Sequence, residues 1–111
     1  MAEYKAPLRD MRFLLNEVFE VAKQWQAMPR LSETADPETA DAILEEAAKI
    51  SQSLLAPLNR IGDEEGCRWE NGQVRTPTGF REAYQTYIAG GWCGLSGNPE
   101  FGGMGMPKSI G

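Results

Sequence analysis

Between residues 36 and 61 the apolar side chains recur with the period of an α-helix, and this constrains the fold more than any other feature. Ala40, Ile43, Leu44, Ala47, Ile50, Leu54, Leu55, Leu58 and Ile61 make one stripe, while Asp41, Glu45, Lys49 and Gln52 line the other side. Spacings of three and four residues put such a stripe on one helix face, which is stable only when covered. The start is marked chemically. Asp36 offers an N-cap carboxylate, Pro37 takes the first helical position, and Glu38 suits the positive end of the helix dipole. Pro57 lies inside the stripe and removes the bond to the Ser53 carbonyl, so one kinked helix ending near residue 60 is predicted. Glu45 and Lys49 stand four apart in the favourable order and are expected to pair.

A second amphipathic helix is predicted over residues 7–28. Leu8, Met11, Leu14, Leu15, Val18, Phe19, Ala22 and Trp25 share one face, with Arg12, Asn16, Glu20 and Lys23 opposite. Phe13 falls among the charges, where it is exposed or touches protein outside this chain. Residues 29–35 read as a loop, and residues 62–66 as an acidic turn closing the long helix. Asn71-Gly72 signals a type I′ hairpin, because both central positions of that turn need positive φ. Its flanks are few and polar, so the hairpin should be small and exposed. Pro77 ends it. A third helix follows over residues 78–89, with Phe80, Ala83, Tyr84 and Tyr87 on one face. The expected fold is mainly α: three helices, a small β-hairpin between the second and third, and an extended glycine-rich C-terminal loop. Short connections favour antiparallel packing.

Composition narrows the chemistry. A chain of 111 residues makes one small domain at most. Its 11 basic residues are scattered singly against 16 acidic ones, which leaves no electrostatic footprint for nucleic acid. No apolar run approaches the roughly 18 residues of a membrane span. The first ten residues lack the apolar region of a secretory signal, so a cytoplasmic location is expected. Cys67 and Cys93 form no C-x-x-C pair and read as free thiols in a reducing compartment. The absence of histidine removes the commonest general base, the commonest metal ligand and the usual activator of a serine or cysteine nucleophile.

Two motifs invite a chemical interpretation. Gly102-Gly103-Met104-Gly105 would suit a phosphate cradle only with a strand before it and a helix after it. A helix and a turn precede it instead, so its glycines read as backbone that must pass close to something. Asp63, Glu64 and Glu65 are consecutive, whereas a cation loop needs alternating oxygens; they read as a solvated face. By spacing alone the chain is a small acidic helical domain without a complete active site.

Three segments, in order, carry a resemblance. YKAPLRDMRFLLNEV at the start, LAPLNRIGDEEG in the middle and GFREAYQTYIAGGW followed by PEFGGMGMP at the end resemble the N-terminal part of acyl-CoA dehydrogenases. The likeness is nearest to the larger bacterial branch with an extra N-terminal segment. The P-E-[YF]-G-G-x-G-x-P stretch is its most specific part, and Phe101 stands where many members have tyrosine.

The resemblance implies a helical N-terminal domain over residues 1–111. Residues 1–35 would be the extension helix and loop, and residues 36–111 the start of the dehydrogenase domain, cut short. It implies a parent enzyme that uses FAD for the α,β-dehydrogenation of an acyl-CoA thioester. In such enzymes a carboxylate base takes the α-proton and the flavin accepts the β-hydride. The family's base and principal flavin contacts lie in later domains, so no catalytic, cofactor or metal residue carries over. The isolated chain is expected to bind no FAD and to be inactive. Tyr87, Trp92, Phe101, Gly102, Gly103 and Met104 carry over as candidates for the acyl-pocket wall. The implied partners are acyl-CoA, the remaining dehydrogenase domains and further copies in a homo-oligomer. The alternative is a stand-alone helical interaction module, or a degenerate subunit that docks on a full-length enzyme. If the chain is cut short, residues 94–111 are expected to be mobile or self-associated, and dimerisation follows from the exposed apolar surface.

Overall fold

The computed structural model describes residues 3–111; Met1 and Ala2, the start of the expected extension, lie outside the described residues. The long helix begins where its cap predicts. Helix α4, Pro37–Ile50, starts on Asp36, whose carboxylate accepts the Thr39 N–H at 2.8 Å and the Thr39 hydroxyl at 2.7 Å. These bonds, the amide's first, hold the Asp36 carboxyl below its ordinary pKa. Beyond Ile50 the chain winds as a π-helix over Ser51–Leu55 and continues as α5, Ala56–Glu65. The wider π turn falls immediately before Pro57, which has no N–H to give an α-helical bond. One uninterrupted helical rod results.

The rod runs on to Glu65, past the expected end near residue 60, and Gly66 stops it at φ 63°. The acidic run therefore forms its last turn. Glu64 pairs with Arg60 at 2.6 Å. Glu65 accepts the backbone N–H and hydroxyl of Thr78 at 2.8 and 3.0 Å, tying α5 to the approach of the next helix. Between them lies the hairpin, β1 Arg68–Glu70 and β2 Gln73–Arg75, antiparallel with Trp69 opposite Val74. Asn71 and Gly72 take φ 50° and 78°, the type I′ geometry, and both strands are exposed throughout. Helix α6, Phe80–Ala89, packs its first ring on Gly62, where an added Cβ would come within 2.5 Å of Phe80 Cζ.

The first predicted helix is not one helix. It divides into α1, Leu8–Arg12, a π-wound turn over Phe13–Val18, and α2, Val21–Gln26. Glu20 separates them in the left-handed region at φ 45°. A further short helix, α3, Pro29–Ser32, occupies part of the expected loop. The wide turn and the left-handed residue rotate the apolar stripe off its α-helical register. Val21 and Trp25 are buried, but Met11, Leu14, Val18 and Phe19 remain exposed with Phe13. Arg12, expected in solvent, turns onto α4. It donates from Nε to Asp41 Oδ1 at 2.5 Å, from Nη2 to Asp41 Oδ2 at 3.3 Å, and also to Glu45. With Glu45 so engaged, Lys49 pairs with Glu46 at 2.7 Å in place of the expected Glu45–Lys49 pair.

The buried core is small. Val21, Trp25, Ala35, Ala40, Leu95 and Ile110 form it, with Leu15, Leu31, Ile43, Trp92 and Met106 packed around them. It thus joins α2, the start of α4 and the C-terminal segment. That segment doubles back on itself after two tight 3₁₀ turns, Trp92–Gly94 and Pro99–Phe101. Met104, Gly105 and Met106 donate their amides to the carbonyls of Gly94, Gly97 and Leu95 at 2.9, 2.9 and 3.0 Å. The Thr34 hydroxyl donates to the Gly105 carbonyl at 3.2 Å. Leu95, Pro107 and Ile110 are buried, so this segment contributes to the core.

The molecule is a slab of 54 × 37 × 16 Å with a radius of gyration of 17.3 Å. A compact domain of this length has a radius near 13 Å.

Candidate functional site

Two apolar grooves lie along the helical rod. The first, about 300 Å³, runs between α5 and α6 and is lined by Leu55, Leu58, Phe80, Ala83, Tyr84 and Tyr87. The helical spacing predicted for Phe80, Ala83, Tyr84 and Tyr87 is what aligns their side chains on this wall. Tyr87 is half-buried at its end.

The second groove, about 260 Å³, lies where α4 meets the turn after α6. Thr39, Ala42, Ile43 and Glu46 form one wall, and Gly90, Gly91, Trp92 and Met104 the other. The paired glycines explain the geometry. The indole of Trp92 lies across Gly90, where an added Cβ would come 2.6 Å from Nε1, and Met104 presses its methyl on Gly91, where the Cβ would come 2.7 Å from Cε. Any side chain at either position would push one of these two residues out of the wall. The α4 residues went unrecognised in sequence, although Thr39, Ala42, Ile43 and Glu46 keep i, i+3, i+4, i+7 spacing. Half of them are polar, which hides the face from a hydrophobic pattern.

The six candidates are therefore dispersed. Trp92 and Met104 share the second groove, and Tyr87 belongs to the first. Gly102, at φ 88°, and Gly103 shape the loop. A Cβ on Gly103 would overlap the backbone of Gly97, so the close passage read from the glycines is a passage of the loop past itself. Phe101 is 84% exposed and lines neither groove.

The electrostatics of the second groove are plain. Its charged member, Glu46, is paired with Lys49, whose pKa that pairing raises. The glycine loop does not fit a flavin pyrophosphate, because the amides of residues 102–106 are already given to carbonyls of the same loop. Among the described residues no group of three or more acidic or cysteine side chains is placed to hold a metal. No helix of the described residues is long and apolar enough to cross a membrane. Cys67 and Cys93 are exposed and unpaired with each other.

Fold and grooves together define an elongated helical module that offers apolar walls. No family model matches the chain. It is 40% identical over 110 residues to 3-methylmercaptopropionyl-CoA dehydrogenase of Ruegeria pomeroyi, a match that takes in 97% of this chain and 18% of that protein. The chain is thus similar to the N-terminal part of an acyl-CoA dehydrogenase. It spans less than a fifth of the relative's length.

Proposed function

We propose that this chain serves as the helical N-terminal part of an FAD-dependent acyl-CoA dehydrogenase in the cytoplasm. Its contribution is to wall the acyl chain of a thioester that undergoes α,β-dehydrogenation. The base and the flavin contacts belong to other parts of the enzyme, and the chain alone is catalytically silent. The observation that carries this is the second groove, an apolar slot between α4 and the Trp92–Met104 wall. The extended shape supports it: a radius of gyration of 17.3 Å, against the roughly 13 Å of a compact domain of this length, suits a part that packs on further structure. The relative's greater length is consistent with that structure being further dehydrogenase domains or subunits.

The experiment substitutes Met104→Trp in an intact dehydrogenase that contains this segment. Filling the slot is expected to raise KM for the longer acyl-CoA substrates about tenfold, roughly the effect of one or two misplaced methylenes, with kcat for the shortest unchanged. Equal KM across chain lengths would refute the assignment. Reduction of an electron-acceptor dye by the purified chain with FAD and acyl-CoA would refute its silence.

A second function, docking as a separate module on a full-length dehydrogenase, is favoured by one feature. Met11, Phe13, Leu14, Val18 and Phe19 are all exposed on the first segment. Co-sedimentation of the separate chain with such an enzyme tests it.

A further inference from the structure

Residues 3–19 are joined to the rest of the molecule mainly through polar groups. No residue from Leu8 to Val18 is buried, and within that stretch Leu15 is the side chain that packs against the core. Hydrogen bonds among the described residues add to this, and Glu3 and Tyr4 face Leu55, Ala56 and Pro57 of the rod. The Ala6 N–H donates to Gln52 Oε1 at 2.8 Å, and the Arg12 guanidinium spans Asp41 and Glu45. Arg12, Asp41 and Glu45 stay 35%, 48% and 47% exposed, so their attraction is open to screening by salt. The segment leaves the core at Glu20, a single left-handed residue between two helical stretches, which is where a small φ/ψ change would swing it.

We propose that residues 3–19 form a hinged arm, latched to α4 by Arg12 and released when charge is screened. The latch is specific, because one planar guanidinium engages two carboxylates a helical turn apart, a geometry that lysine would not reproduce. Release has a local signature. A detached segment of this length is too short to remain helical in water, so protection of its amides reports docking directly.

The test is hydrogen exchange of the whole chain, followed peptide by peptide. In Arg12→Gln the amides of residues 8–19 are expected to exchange on the order of tenfold faster, about the net effect of losing one charge-assisted bond in a partly exposed setting. Those of residues 40–50 should keep their rates. The charge-reversed pair, Arg12→Glu with Glu45→Arg, is expected to recover part of the protection. In the unaltered chain, raising sodium chloride from about 0.05 to about 1 M shortens the screening length from roughly 14 Å to 3 Å. This should reproduce the effect of Arg12→Gln and add little to that variant. The salt arm stands even if the variants fold poorly. An arm that is unprotected at low salt would overturn the proposal, as would one indifferent to both Arg12→Gln and salt. Simultaneous loss of protection in the arm and α4 would overturn it too, since Arg12 would then hold the core and not a latch.

Discussion

Ile110 lies one residue from the end of the sequence and is only 8% exposed, within the same core cluster as Trp25 and Leu95. Replacing it by alanine removes three carbons, nearly all withdrawn from water. At about 0.8 kcal/mol per buried methylene the transfer loss is about 2 kcal/mol. The cavity penalty adds little, because a slab 16 Å thick lets neighbouring side chains relax into the gap. For a domain of this size a loss of about 2 kcal/mol lowers Tm by roughly 8–16 °C. Phe101 supplies the control. It carries more apolar surface and sits in the same C-terminal segment, but at 84% exposure its replacement by alanine should stay within about 0.5 kcal/mol. Thermal unfolding followed by far-ultraviolet circular dichroism measures both. Equal shifts for Ile110→Ala and Phe101→Ala would mean that the segment does not dock as described, and the placement of the core would fail with it.

Two further outcomes follow. The Thr78 amide first, and then its hydroxyl, hold the Glu65 carboxyl below its ordinary range. A carboxyl with a depressed folded pKa adds stability above its unfolded value, roughly 4.3, and loses it as pH falls through the folded value. Glu65→Gln should therefore flatten acid unfolding below about pH 4.3 and leave stability insensitive to pH nearer neutrality; an unchanged acid profile would remove the Thr78 contact from the account. Gly103→Ala forces a Cβ onto the Gly97 backbone and should destabilise the chain by about 1–3 kcal/mol, measured by urea unfolding, whereas a neutral effect would show that the loop does not pass itself so closely.

What was legible in the sequence was written locally. Asp36 and Pro37 announce α4, Asn71-Gly72 announces the hairpin, and each depends on residues within a few positions of itself. The break in the first helix was not legible. Nothing in its composition distinguishes a π-wound turn from an α turn, and glutamate is an unusual occupant of the left-handed region. Partner choice was hidden for a related reason. Arg12 reaches Asp41 and Glu45 across 29 and 33 residues, and only the assembled fold sets that competition against the local Glu45–Lys49 pair. Trp92 and Met104 were candidates through the resemblance alone, and the fold places both on the second groove. The wall contributed by α4 was not legible, and Phe101 turned out to line no groove.

The helical rod from Pro37 to Glu65 acquires a mechanical meaning from where the grooves fall. One groove opens on its first half, around Ile43, and the other on its second, around Leu58. At 1.5 Å per residue these points are about 20 Å apart along the axis. Residues 51–54 of the π turn stand between them, and its last residue, Leu55, already lines the groove around Leu58. The rod is a gauge that fixes the spacing of two apolar berths, and the π turn is the one joint in it, so insertion or removal of a single residue there would rotate one berth about the axis relative to the other while leaving each intact.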